Sequence, residues 1–190
     1  MGDMVGTLDW TPALSRPELL ATPVEKALAE LGANAGVDVD EVAVAEIDPD
    51  LADTAAFCER YGVGLDISAN CVVVAAKRGG GRDLAAGVVL ATTRADVNGL
   101  VRRHLDARKV SFAPMDAAVA ETGMEYGGIT PIGLPASWPL LVDRAVAAAD
   151  RVVVGSGVRR SKLLVPGRLL GHLPGAEILD GLGQPLGDPA

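Results

Sequence analysis

Apolar positions recur along this chain at helical and at strand spacing, and the spacing assigns its elements. Thr22-Pro23-Val24-Glu25 reads as a capping box with Pro at the first helical position, Val24, Ala27, Leu28 and Leu31 form one stripe, and Gly32 is the expected stop. From Val37 to Ile47 apolar residues alternate with acids, the period of a half-buried strand. A short helix is expected from Asp53 to Tyr61, ended by Gly62. Cys71 to Ala76 is an unbroken apolar run, a central strand, and Leu84 to Ala91 is its return partner across the flexible connection Lys77-Arg78-Gly79-Gly80-Gly81-Arg82-Asp83.

Asp96 caps a helix with the stripe Val97, Leu100, Val101 and Leu105, Lys109 to Ala113 is a short strand, and Met115 to Thr122 is a helix closed by Gly123. Strands follow at Leu140 to Val142, Arg151 to Val154, Lys162 to Val165 and Ala176 to Leu179, with a helical turn from Pro166 to Leu170. Strands and helices do not alternate regularly, so a doubly wound parallel sheet is not expected. The fold class is α+β: one domain over residues 21–180, a mixed, largely antiparallel curved sheet with surrounding helices. Residues 1–20 read as a loose arm and 181–190 as a frayed tail.

Composition narrows the picture. Apolar residues make up 49% of the chain and aromatics only 3%, so the core must be aliphatic. A net charge of −8 argues against broad, non-specific binding to nucleic acid, though a local basic face remains open, and DNA is not expected as a partner. The chain shows neither a membrane-spanning run nor a leader, and Cys58 and Cys71 lack metal-site spacing. A cytoplasmic protein without metal or cofactor is the expectation.

Candidate chemistry centres on Thr122-Gly123-Met124-Glu125-Tyr126-Gly127-Gly128-Ile129-Thr130-Pro131-Ile132-Gly133, a glycine-punctuated loop whose amides could face a ligand. Gly155-Ser156-Gly157 is not a nucleophile elbow, and neither His104 nor His172 has a partner pattern for base catalysis. Asn70, Asp143 and the 155–157 glycine turn lie at strand ends, where a pocket mouth could form. Arg159, Arg160, Lys162 and Arg168 form a basic cluster that is either a solvated face or a phosphate contact.

These residues resemble the YbaK/ProX/EbsC group of aminoacyl-tRNA editing domains, related to the editing insertion of bacterial prolyl-tRNA synthetase. The resemblance is carried by Asp53-Thr54-Ala55-Ala56, by the loop from Thr122 to Gly133, by Leu141-Val142-Asp143 and by Val154-Gly155-Ser156-Gly157-Val158-Arg159, in order over residues 50–180. It implies hydrolysis of a wrong amino acid from the tRNA acceptor end without metal or covalent nucleophile, with an aminoacyl-tRNA synthetase as a further possible partner. Carried over by position, Asn70 orients, the Gly127 and Gly128 amides stabilise an oxyanion, and Thr54, Thr130, Pro131, Asp143, Gly155, Ser156, Gly157 and Arg159 contact substrate. The chain departs from the group at Asn70, where a lysine is characteristic, and Lys77, at the far end of the same strand, is too distant to replace it. Another cation such as Arg159 could enter the pocket. The alternative reading is an inactive module that binds an aminoacyl-like ligand, tRNA or a protein partner.

Overall fold

The pairing of short strands around an aliphatic core organises the computed structural model, which describes residues 5–33 and 37–187. In chain order the elements are β1 (Thr11–Pro12), α1 (Thr22–Ala33), β2 (Ala43–Glu46), α2 (Thr54–Tyr61), β3 (Ala69–Arg78), β4 (Gly81–Leu90), β5 (Thr93–Ala95) and α3 (Arg102–His104). Then come β6 (Lys109–Phe112), α4 (Met115–Thr122), β7 (Leu140–Asp143), α5 (Arg144–Ala148), β8 (Val152–Gly155), β9 (Ser161–Val165), α6 (Gly167–Leu170), β10 (Ala176–Leu179) and β11 (Gly183–Pro185). One sheet has the order β10-β7-β4-β3-β6, a second β1-β2-β9-β8, and β11 pairs with β5. β7 lies parallel to both β4 and β10; the other ladders are antiparallel. The architecture is therefore the expected mixed α/β single domain with open sheets.

Both large sheets feed one core. Val24 and Leu28 of α1, Val44 of β2, Leu163 of β9, and Val88 and Val142 of the larger sheet are all buried together. A second layer forms on the far side of β8 and β9, where Leu164 and Val153 meet Phe57 of α2. Strand alternation thus sends Leu163 and Val165 one way and Leu164 the other. A parallel bridge between Ser68 and Val153 brings the start of β3 against β8. That junction, with α2 over it, is where the candidate site lies.

Several expectations need correction. The arm is not loose: β1 pairs with β2, and Leu8, Ala13, Leu19 and Leu20 are buried. Nor is the tail frayed up to residue 187, because β11 pairs with β5 and Leu182 is fully buried; residues 188–190 lie outside the described part. Gly32 does not stop α1 but lies inside it, and a Cβ there would come within 2.8 Å of Val39 Cγ2. The strand expected over 37–47 is confined to β2, with a 3₁₀ turn at Val39–Glu41 before it. After Asp96 the chain forms a π-helical turn over Val97–Val101 before α3, with Asp96 accepting from the Gly99 and Leu100 amides. No helix among the described residues is long and apolar enough to cross a membrane.

Candidate active site

Asp53 starts the site by capping α2: its Oδ1 accepts from the amides of Ala55 and Ala56, which aims the first turn of the helix at β3. Thr54, in that first turn, donates through Oγ1 to Asn70 Oδ1 at 2.7 Å. With its oxygen engaged, the Asn70 amide keeps its NH₂ group as the donor available to a ligand. Both residues are half-buried and line a cleft of about 410 Å³, with Cys71, Gly127, Gly155 and Lys162 also in its wall. Phe112 and Tyr126 stand at its mouth, 66% and 53% exposed.

Lys162 is the residue that decides the electrostatics. It lies on β9, on the side covered by α2, and is only 7% exposed. Its Nζ donates to the Ala52 carbonyl at 2.8 Å and lies 5.2 Å from the Phe57 ring centroid. Burial lowers its pKa from 10.5 to about 8, with Cys58 and Asp53 opposing the shift and the Arg159 charge adding to it. One hydrogen bond leaves the ammonium two further N–H groups to offer. The Cys71 thiol, half-buried in the same wall, is pushed up to about 12 by its apolar surroundings and stays a thiol at neutral pH.

The glycine loop lines this cleft with Tyr126, Gly127 and Ile129, and Gly128 stands behind them. Gly128 donates its N–H to Glu125 O at 2.9 Å and accepts from Gly157 N at 2.8 Å, so its amide is spent within the protein. A Cβ at Gly128 would lie 2.7 Å from the Val158 backbone, and one at Gly155 would lie 2.5 Å from Gly128 O. Glycine is required here because two backbones touch. Gly127, at φ +87°, is exposed at the cleft, and no hydrogen bond from its amide occurs among the described residues.

The structure therefore gathers Thr54, Asn70, Gly127 and Gly155 at one cleft, sets Arg159 behind its wall at Tyr126 and Gly127, and leaves the other sequence candidates elsewhere. Asp143 caps α5 through Ala145 N at 2.9 Å and holds Gly183 N at 2.7 Å, so both its oxygens are structural. Ser156 is fully buried and bonded to Ser161, and Gly157 packs against Ala21. Thr130 is fully buried, and Pro131 borders a separate apolar groove with Pro23 and Leu134. Arg159 is not a free cation: its Nη1 donates to Tyr126 O, its Nη2 to Pro49 O, and its backbone N–H to Glu125 Oε2. It clamps the loop. Lys162 is a cation that the sequence reading named only within the basic cluster, as a solvated face or a phosphate contact, and not among the cleft residues; its signal was a lone charge inside the buried run Ser161-Lys162-Leu163-Leu164-Val165. Among the described residues there is no group of three or more His, Cys, Asp or Glu placed to hold a metal ion.

The family model for the aminoacyl-tRNA editing domain matches residues 48–171, which contain every element of this cleft. The chain belongs to that family. Its domains act on aminoacyl-tRNA, so deacylation is the activity at family level and tRNA the partner class. Solved structures agree on the fold. A protein described as a candidate trans-editing enzyme for prolyl tRNA synthetase shares 20% identity at a TM-score of 0.69, covering 84% of this chain and 94% of that one. A scaffold used in computational epitope grafting gives 21% identity and 0.69 over 84% and 95%. A signal-transduction candidate from Marinobacter aquaeolei matches at 16% and 0.55, covering 84% of this chain and 30% of that longer one. A search of curated proteins returns no match.

Proposed function

We propose that this editing domain is a trans-acting deacylase that hydrolyses the ester of a mischarged tRNA with Lys162 as its cation. The observation that supports the reading is the presence of a buried ammonium in the same cleft as Asn70 and Thr54. In this reading a water oxygen bonds to the ester carbonyl carbon, and the carbonyl oxygen takes up the negative charge. The Lys162 ammonium and the free Gly127 amide stabilise that oxyanion, as preorganised donors in a water-poor site do. The Asn70 NH₂, fixed by Thr54, holds the aminoacyl group in register. The ester C–O bond then breaks, the terminal ribose oxygen takes a proton, and the amino acid leaves as the free acid. Thr54 serves as a positioning residue through Asn70.

The test is deacylation of a panel of mischarged tRNAs by wild type, Asn70→Ala and Lys162→Met. Hydrolysis of one member, falling about 10²-fold or more in Lys162→Met, is the expected result. A wild type inert on the whole panel, or a Lys162→Met variant as fast as wild type, overturns it. Thr54→Val should lower kcat with little change in folding, and rescue by Thr54→Ser would identify the hydroxyl as the active feature.

A further inference from the structure

One side of the cleft is built unlike the others. Five consecutive residues of β3, from Ala69 to Val73, line it. A strand that turns one face to a cavity contributes alternate residues, so an unbroken run means that the strand presents its edge. The ladders agree. β4 pairs with β3 along its whole length, but on the other side β6 pairs only with Val74 to Lys77. Past that ladder Ala113 N donates to Val73 O at 2.9 Å, and Pro114 turns the chain into α4. The bridge from Ser68 to Val153 closes the opposite end of the gap. Between these two points no strand among the described residues pairs with β3 on the side of the cleft.

Successive residues of a strand turn their peptide groups to opposite sides. Val73 and Lys77 turn theirs toward β6, where Ala113 N and Arg108 N each donate to a carbonyl at 2.9 Å. Cys71, two residues before Val73, therefore turns its N–H and C=O the same way, into the cleft, while Val72 is turned to Gly87 of β4. An open edge is a row of main-chain donors and acceptors that takes up extended chain. The gap from Ala69 to Val72 is about 10 Å long at ~3.3 Å per residue, short for a strand and ample for one amino-acid residue. Its two faces differ. On one, Val73 packs with Ala118, Ala113 and Ile129; on the other, Asn70 is tied to Thr54.

We infer that Cys71 holds the aminoacyl residue through its main chain, as a strand of one residue: the α-ammonium donates to Cys71 O, and Cys71 N–H donates to the aminoacyl carbonyl. The inference rests on the aminoacyl-ester reading of the cleft and adds what the site recognises, a free α-amino group and one hand at Cα. A strand residue offers its partner a donor and an acceptor on either side of Cα, and an aminoacyl ester carries both at that spacing. An N-acylated residue lacks the charge and brings bulk against the edge. With the main chain fixed at Cys71, the side chain of one enantiomer enters the apolar end beside Val73 and Ala118. That of its mirror image meets Asn70 and Thr54.

The experiment uses 3′-aminoacylamino-3′-deoxyadenosines, in which an amide replaces the ester, carrying the amino acids of the deacylation panel. Each is titrated against the full chain as the L form, the D form, the N-acetyl form and the α-hydroxy acid. Amide hydrogen exchange is followed in the free and the saturated protein. At least one L form should bind, and its three counterparts at least about tenfold more weakly, as loss of a hydrogen bond to a charged group or misplacement of the side chain requires. The Cys71 amide should exchange faster than those of Val72 and Val74 in the free protein, and binding should slow it. Equal binding of the free and N-acetyl forms or of the two enantiomers, no binding by any L form, or a Cys71 amide already protected in the free protein overturns the inference. Selective binding with no mischarged tRNA hydrolysed leaves the edge in place and removes the deacylase. Hydrolysis of free and N-acetylated esters at equal rates does the reverse.

Discussion

A buried lysine amine is a liability that a fold keeps only where it is used, and Lys162 allows that liability to be measured. Because burial lowers its folded pKa to about 8, both folded and unfolded states carry the proton below pH 8, and the folded state bears the full desolvation cost. Between pH 8 and the unfolded value of 10.5 the unfolded chain binds more protons, so this contribution makes stability rise with pH in that window. The shift corresponds to about 3 kcal/mol. Lys162→Met removes it but leaves the Ala52 carbonyl unpaired, at about 1 to 2 kcal/mol. The variant should therefore be more stable at pH 7 by about 1 to 2 kcal/mol, and denaturant titration at pH 7 and pH 10 should find that gain shrinking at the higher pH. Deacylation has the opposite dependence, because the reading needs the ammonium. The enzyme-dependent rate, corrected for spontaneous hydrolysis, should fall as pH rises through about 8. The groups facing Lys162 are Asp53 and Cys58 on the α2 side and Arg159 from the β8–β9 turn.

At the scale of elements, the glycine loop is held by reciprocal backbone bonds: Glu125 N to Gly157 O and Gly157 N to Gly128 O, each 2.8 Å. Gly128→Val is therefore a folding variant, not a plug in the cleft. The added side chain meets the Val158 backbone, and a loss of at least about 1 to 3 kcal/mol is expected from overpacking, visible as a lower melting temperature. Asp143→Ala should also act on stability alone. It removes a helix cap and the tether to Gly183, worth about 2 kcal/mol together, while the deacylation rate per folded molecule stays at the wild-type value. What was legible in the sequence follows the same division. α2 between Asp53 and Gly62, α4 before Gly123, and the β3–β4 hairpin could be read because caps, stops and partners are near neighbours in the chain. β1 and β11 escaped because their partners, β2 and β5, are distant in sequence and each has too few residues to show a period. Of the site, Thr54, Asn70 and Gly127 were legible through the motif order. Lys162 was not, because Arg159 and Arg160 beside it placed it in a basic cluster that the sequence left open between a solvated face and a phosphate contact. Asp143 and Ser156 misled for the converse reason, since a polar residue at a strand end looks the same whether it meets a ligand or a backbone amide.

Over the whole molecule, charge is sorted. The net charge of −8 repels polyanions in general, while the hairpin end presents the row Arg82, Lys77 and Lys109. Raising ionic strength should slow association much more than it speeds dissociation, and stopped-flow binding of tRNA transcript checks this. The sheet connections add a constraint in time. β3 and β4 pair through a two-residue turn, but β2 has no complete ladder until β9 has been synthesised, because Val44 pairs with Leu163 and Thr11 with Val44. Pairings this remote close slowly, so refolding should take milliseconds to seconds, and pulsed hydrogen exchange should find β3 and β4 amides protected before those of β2 and β9. On a ribosome, the hairpin emerges with its cations already aligned while Lys162 is still to come. The nascent chain would complete this hairpin before it acquires the amine that the proposed reaction uses.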